Sequence, residues 1–208
     1  ALPCLERGVN TLIDKPPGMS VEETIELRNA AEKSRAKAMV GWNRRFHPIV
    51  TQTRTMVEER GPIAHIVGEF HKSLTRIEAS KKFPVSVLEK MLFETPIHTI
   101  DLVRAVAGSN VKDVHSEVRW AFSKYRDIYC ALITFENGCV GQLTANFTTD
   151  DRLERYEFHG RDVSAYLEGI TNGTVLRDGS RHTIDGAISG GNLEQNQYFL
   201  DCIRQHRP

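Results

Sequence analysis

The chain has 208 residues, 40% hydrophobic and 26% charged, with Lys+Arg and Asp+Glu equal at 27 each. That length can bury a sizeable core in one domain or one and a fraction, and balanced charge without like-sign runs gives no support to a nucleic-acid or anionic-membrane partner. No apolar run reaches a membrane span and no secretory signal opens the chain, so it reads as a soluble, cytoplasmic protein; Cys4, Cys130, Cys139 and Cys202 lack zinc spacing and read as free thiols, with no metal expected.

The first residues resemble a helix running into Gly8. Residues 9–13 are short, apolar and β-branched, bounded by Gly8 and by the turn D-K-P-P-G, which predicts a buried strand. Ser20 followed by Glu23 is a capping box, and Leu27, Ala30, Ala31 and Ser34 mark one face of the helix it starts. Residues 37–42 form a second apolar run, so 9–42 reads as a β-α-β unit with two parallel strands. Pro48 then opens a helix with Ile49, Val50, Thr53, Met56 and Val57 at helical spacing, which Gly61-Pro62 stops.

Residues 63–70 alternate as a strand does, and residues 72–83 read as a basic, loop-like insertion. H-T-I-D-L-V-R-A-V-A-G at 98–108 is a helix with a glycine stop. Beyond it come long alternating runs with hairpin chemistry at E-N-G (136–138) and R-D-G (177–179), which predict a large, mostly antiparallel sheet with one polar and one apolar face. Residues 193–204 form a final helix. The fold class expected is therefore α/β grading into α+β: a β-α-β unit in 1–44, then an α+β domain with an open sheet at 45–208.

Three places carry chemistry. Lys15 stands at the carboxyl end of a parallel strand, where open α/β sheets place their ligand crevices, and Pro16 and Pro17 hold its backbone extended. A lysine partly desolvated beside a cofactor can exchange a proton with a hydroxyl, although a lysine that merely solvates a strand end fits the same pattern. Glu94, His98 and Asp101 are spaced four and three apart, so carboxylates could flank an imidazole and orient it for acid-base work, provided that Pro96 lets Glu94 lie within or fold back onto the helix. A capped helix with a satisfied histidine is the plainer alternative. In N-R-R-F-H-P at 43–48, Arg44 and Arg45 could grip phosphates or carboxylates bidentately, or lock two domains together.

In order, D-K-P at 14–16, G-W-N-R-R-F at 41–46, E-T-P-I-H-T-I-D-L at 94–102, F-E-N-G at 135–138 and Y-E-F-H-G at 156–160 resemble the glucose-fructose oxidoreductase / inositol dehydrogenase / MocA family across essentially the whole chain. The resemblance implies a two-domain NAD- or NADP-dependent oxidoreductase acting on a sugar, cyclitol or related polyol, and the broad amphipathic sheet makes a homo-oligomer through that sheet the expectation. Carried over by motif, Lys15 matches the E-K-P lysine between nicotinamide and substrate, His98 the acid-base histidine, and Glu94 its partner aspartate. Asp14 and Asn43 match positions beside the cofactor, as does Lys15 itself.

Three departures stand out. Asp14 replaces a glutamate, Glu94 is one methylene longer than the usual aspartate, and no G-x-G-x-x-G occurs anywhere. The glycine turn that lets a pyrophosphate approach a helix N-terminus is thus missing, and the expectation is an N-terminally truncated piece that keeps proton-transfer groups without the main cofactor grip. The alternative is a non-catalytic relative serving as a binding or dimerisation module. A hydrolase built on His98 and Glu94 finds no suitably placed nucleophile or ligand cluster.

Overall fold

The computed structural model describes residues 1–185 and 190–207, and its strands fall into two sheets. Helix α1 (Leu2–Glu6) leads to Gly8, which turns the chain at φ 74°. Strands β1 (Thr11–Ile13) and β2 (Ala38–Val40) pair in parallel across helix α2 (Val21–Ser34), the expected β-α-β unit with both strands shorter than their apolar runs, but β1 is not the buried strand expected, because Leu12 and the preceding Val9 are exposed. β2 ends early because the Trp42 N–H turns back to the Val40 carbonyl at 2.8 Å and the chain winds into a 3-10 turn, Asn43–Phe46. The α2 cap forms as predicted on one side, with Ser20 Oγ accepting from the Glu23 N–H at 3.2 Å. On the other side the Glu23 carboxylate accepts from the N–H of Met19 rather than of Ser20, at 2.6 Å.

Helix α3 (Pro48–Glu58) buries Ile49, Val50, Thr53 and Val57, the face its periodicity marked. The second sheet contains β3 (His65–Ser73), β4 (Val111–Arg119), β5 (Ile128–Phe135), β6 (Val140–Asn146), β7 (Thr148–Gly160), β8 (Val163–Glu168), β9 (Asn172–Arg177) and β10 (Ser180–Asp185). Its order is β10-β9-β8-β7-β3-β6-β5-β4, antiparallel throughout except for the central β3–β6 pair. This is the predicted α+β architecture with a large, mostly antiparallel sheet.

One face of that sheet is covered by α3 and by helix α6 (Ile97–Ala107), and the shared core includes Val57, Ile66, Leu102, Val103, Tyr156, Phe158 and Leu167. Strand alternation decides which residues enter it, so β3 buries Ile66 and Phe70 while His65, Val67 and Glu69 stay half-covered on the opposite face. Gly68 and Gly141 let α6 lie unusually close. A methyl on Gly68 would stand 2.7 Å from Thr99 Cγ2, and one on Gly141 2.9 Å from Val103 Cγ1. This approach carries the first turn of α6 to the end of the central strands.

The stretch 72–83 is not the loop-like insertion expected. Lys72 and Ser73 finish β3, and Leu74–Ser80 forms helix α4, because Ser73 Oγ caps it at the Arg76 N–H (3.3 Å) and Leu74 is buried. Helix α5 (Val85–Leu88) follows, and Leu74, Leu88 and Met91 join Tyr125, Tyr129 and Phe147 in a second small core. The last element, α7 (Asn192–Arg204), packs on the 3-10 turn. No helix among the described residues is long and apolar enough to cross a membrane.

Candidate active site

Where β1 ends, Asp14 Oδ1 accepts the backbone N–H of Lys15 at 2.8 Å, and the Lys15–Pro16 peptide is cis. The Lys15 ammonium leaves the turn and donates to the backbone carbonyl of Glu94, 79 residues away in sequence. One hydrogen bond thus ties the end of the small parallel sheet to the segment that feeds α6. Glu94 follows a 3-10 turn (Met91–Phe93) and precedes α6, whose N-cap is Pro96.

The predicted Glu94, His98 and Asp101 group does not assemble as one constellation. Pro96 displaces Glu94 from the helix, and its carboxylate accepts from Lys72 Nζ at 2.8 Å and from the Thr95 hydroxyl. Burial raises the Glu94 pKa, and the Lys72 and Thr95 bonds outweigh that, so the group lies below the usual carboxylate range. Asp101 turns to Arg45, whose Nε donates at 2.9 Å, because the 3-10 turn packs on α6 at that position. Asp101 is therefore not an orienting partner for His98, and Arg45 holds both of its carboxylate oxygens through Nε and Nη2, a bidentate pair that locks the 3-10 turn to α6.

His98 occupies the first turn of α6 at 8% exposure, with the Trp42 ring edge-on at 6.0 Å between centroids. Its Nδ1 is buried without a hydrogen-bond partner among the described residues. Burial is the main reason that its pKa falls to about 4. Arg44 and Lys15 push in the same direction, and Glu154 and Asp14 oppose them. His98 is consequently a neutral imidazole at physiological pH, able to accept a proton. Asn43 donates through Nδ2 to the Gly190 carbonyl at 3.0 Å, and its Oδ1 is also buried without a partner among the described residues.

Beneath His98 lies a network that sequence reasoning missed. Arg44 Nε and Nη2 grip the Glu154 carboxylate at 2.8 and 3.4 Å, and Arg152 Nη2 adds a third contact at 2.6 Å. The Tyr156 hydroxyl donates to Glu154 at 2.9 Å and stands 3.2 Å from Thr99 Oγ1. Burial raises the Glu154 pKa, but its arginines and the tyrosine outweigh this and hold it ionised, whereas burial first and Glu154 second push the Tyr156 phenol far up. In R-L-E-R-Y-E-F, charged residues occupy both alternate sets, so no pattern could say that Arg152 and Glu154 face the helices while Arg155 and Glu157 face away. The Lys72 position was equally hidden inside the expected loop.

A lysine and a neutral imidazole thus come together near the carboxyl end of the parallel pair, groups that can exchange a proton with a hydroxyl, while the ionised Glu94 carboxylate is held by Lys72. The family model for the GFO/IDH/MocA C-terminal domain matches residues 51–166. The chain belongs to the GFO/IDH/MocA family. Among relatives, it is 29% identical to an uncharacterized oxidoreductase, YrbE, of Bacillus subtilis, over 82% of this chain and 48% of that protein. It is 24% identical to the UDP-N-acetylglucosamine 3-dehydrogenase of Acidithiobacillus ferrooxidans, over 98% and 66% respectively. The scyllo-inositol 2-dehydrogenase (NAD(+)) of B. subtilis is also 24% identical, over 96% and 62%.

Solved structures agree on the fold. The A. ferrooxidans enzyme superposes with TM-score 0.82 at 22% identity over 100% of this chain and 67% of that one. A dehydrogenase from Chromobacterium violaceum gives 0.85 at 24% identity over 99% and 65%. The chain therefore spans between about half and two thirds of the length of these curated relatives.

Proposed function

We propose that the protein containing this chain is an NAD- or NADP-dependent oxidoreductase that acts on a sugar, cyclitol or related polyol. The observation that carries this reading is the bond from Lys15 to the Glu94 carbonyl, which brings the strand-end lysine to the segment holding Glu94 and His98. In this reading residues 1–44 are the last part of a dinucleotide-binding domain and 45–208 the substrate-binding and oligomerisation domain. The nicotinamide would supply hydride acceptance or donation at carbon.

The residues present fit such a group at its nicotinamide end. Among the described residues, Asn43 Oδ1 and His98 Nδ1 are buried polar atoms without partners beside the strand-end turn, and Asp14 and Lys15 border the same crevice. Lys15 and the neutral His98 share the hydroxyl proton, and Glu94, held by Lys72, fixes the segment that Lys15 touches. The outer face of the large sheet, with Val67, Leu132 and Tyr166 partly open, is the surface for self-association in this reading.

Titration with NADH and NADPH, followed by nicotinamide fluorescence, tests the proposal. Saturable binding is expected, together with polyol-dependent reduction of the oxidised cofactor that falls about 100-fold or more in Lys15→Ala and in His98→Asn. Absence of nicotinamide binding by the folded protein would sink it and favour the binding-module reading.

A further inference from the structure

Two carboxylates at the site each carry more positive charge than they neutralise. Glu154 is gripped by both Arg44 and Arg152, and Glu94 is bonded by Lys72 through its carboxylate and by Lys15 through its carbonyl. Asp14, at the rim, supplies one further negative charge. Among the described residues, the local excess is at Glu154, where Arg44 and Arg152 stand against one carboxylate and Lys72 lies on the adjacent strand. Such an excess in a partly desolvated crevice favours a bound anion.

The excess has a location. Lys72 and Arg152 flank the Phe70 ring, each 5.5 Å from its centroid, at the site end of β3 and β7. Lys72 spends two of its three N–H groups, on Glu94 and on Thr95 at 3.0 Å, and its side chain is 21% exposed. Arg152 has its Nη2 on Glu154, which Arg44 already neutralises, and is 51% exposed, so the remaining edge of its guanidinium faces open space. A spare ammonium N–H and a half-exposed guanidinium, carried on adjacent strands over the same buried ring, are the kind of donors that a carboxylate or phosphate takes.

Resting on the oxidoreductase reading above, we propose that its substrate carries an anionic group, a carboxylate or a phosphate on the sugar or cyclitol, and that Lys72 and Arg152 bind it. The field at His98 agrees in sign, since the cations Arg44 and Lys15 act on its imidazole more strongly than Glu154 and Asp14. Docking a substrate anion would offset that field, making His98 a better base when the correct substrate is present.

Calorimetric titration of the protein with glucuronate, glucose 6-phosphate and glucose separates the cases. At least one charged sugar is expected to bind about tenfold or more tighter than glucose at low salt, with the advantage shrinking as salt rises. Preference for glucuronate alone assigns a carboxylate, and preference for the phosphate alone assigns a phosphate. In Arg152→Gln and Lys72→Met the charged and neutral sugars should approach parity. Should Lys72→Met fail to fold because it strands Glu94, the half-exposed Arg152 carries the test alone.

Histidine NMR gives a second readout, in which the His98 resonance, assigned through His98→Asn, titrates at higher pH with the charged sugar bound than with glucose. Equal or tighter binding of glucose, no binding of either charged sugar, a preference unchanged in the variants, or an unmoved His98 titration would each overturn the proposal. Parallel NADH titrations keep the two readings apart. Cofactor binding without anion preference removes only this inference, whereas anion preference without cofactor binding removes the oxidoreductase reading.

Discussion

The two sheets of this protein are supported very unequally. The eight-stranded sheet shares with α3 and α6 a core in which Ile66, Val57, Leu102, Tyr156, Phe158 and Leu167 are essentially inaccessible to water. The parallel pair β1–β2 rests with α1 and α2 on a cluster of three buried residues, Leu5, Ala31 and Ala36. Around it Val9, Leu12, Val21 and Ile25 remain exposed, and a groove of about 510 Å³ opens between α2 and the strands. Parallel sheets are ordinarily covered on both faces, so the small unit holds its shape with little burial of its own. Yet it presents Lys15. The candidate site is thus assembled across a strong scaffold and a weak one, and the Lys15–Glu94 bond and the 3-10 turn at Asn43–Phe46 join them.

Truncation in the two cores gives the largest contrast. Leu102→Ala, at a site with no solvent exposure, should cost about 3–5 kcal/mol and lower the main unfolding transition. Leu5→Ala should instead loosen residues 1–41, raising amide exchange in β1 and β2 while the main transition moves little. Equal losses of melting temperature would break the comparison.

Removing the join comes next. Arg44→Leu takes a bidentate partner from a buried carboxylate, and a loss of about 2–4 kcal/mol is expected in denaturant unfolding. Arg152→Gln, at the exposed end of the same carboxylate, should cost under about 1 kcal/mol because Arg44 remains. If the two variants lose the same amount, Arg44 is no more than a surface pair.

The pH dependence of His98 follows in size. Its folded pKa of about 4 lies below the ordinary 6.5, so the unfolded chain binds the extra proton first and stability falls with pH between 6.5 and 4. The loss should reach on the order of 2 kcal/mol at the lower end after allowance for screening, and His98→Asn should abolish that part of the slope in urea melts. A slope unchanged by the substitution would mean that the imidazole is already charged in the fold. Smallest is Ser20→Ala, which removes the α2 cap and should cost about 1 kcal/mol, read as faster exchange within α2 alone.

Most of the architecture was legible because it rests on local periodicity. The β-α-β unit, the α3 face, the α6 helix with its Gly108 stop and the antiparallel run all follow from spacing and turn residues that act over a few positions. Residues 72–83 were misread because a capping serine at 73 and an inward Leu74 look like loop composition until a second core exists to receive them. At the candidate site, the order of motifs singled out Lys15, Glu94, His98 and Asn43. Their partners were not legible. The spacing that suggested His98 with Glu94 and Asp101 was overruled by Pro96, which ends helical geometry before Glu94, and by Arg45, which takes Asp101 from the neighbouring turn.

What the sequence determined by itself is which residues can do chemistry and which segments coil or extend, since both depend on side-chain type and near-neighbour sterics. Only the tertiary structure decided how charge is distributed at the site. Lys72, Arg152 and Glu154 are charged residues in register with the inward apolar face of their strands, and only the core under α3 and α6 shows that these ends of the face carry ion pairs rather than apolar packing. Ion pairing at a site is a long-range, three-dimensional property, and a one-dimensional pattern carries no information about which cation reaches which carboxylate.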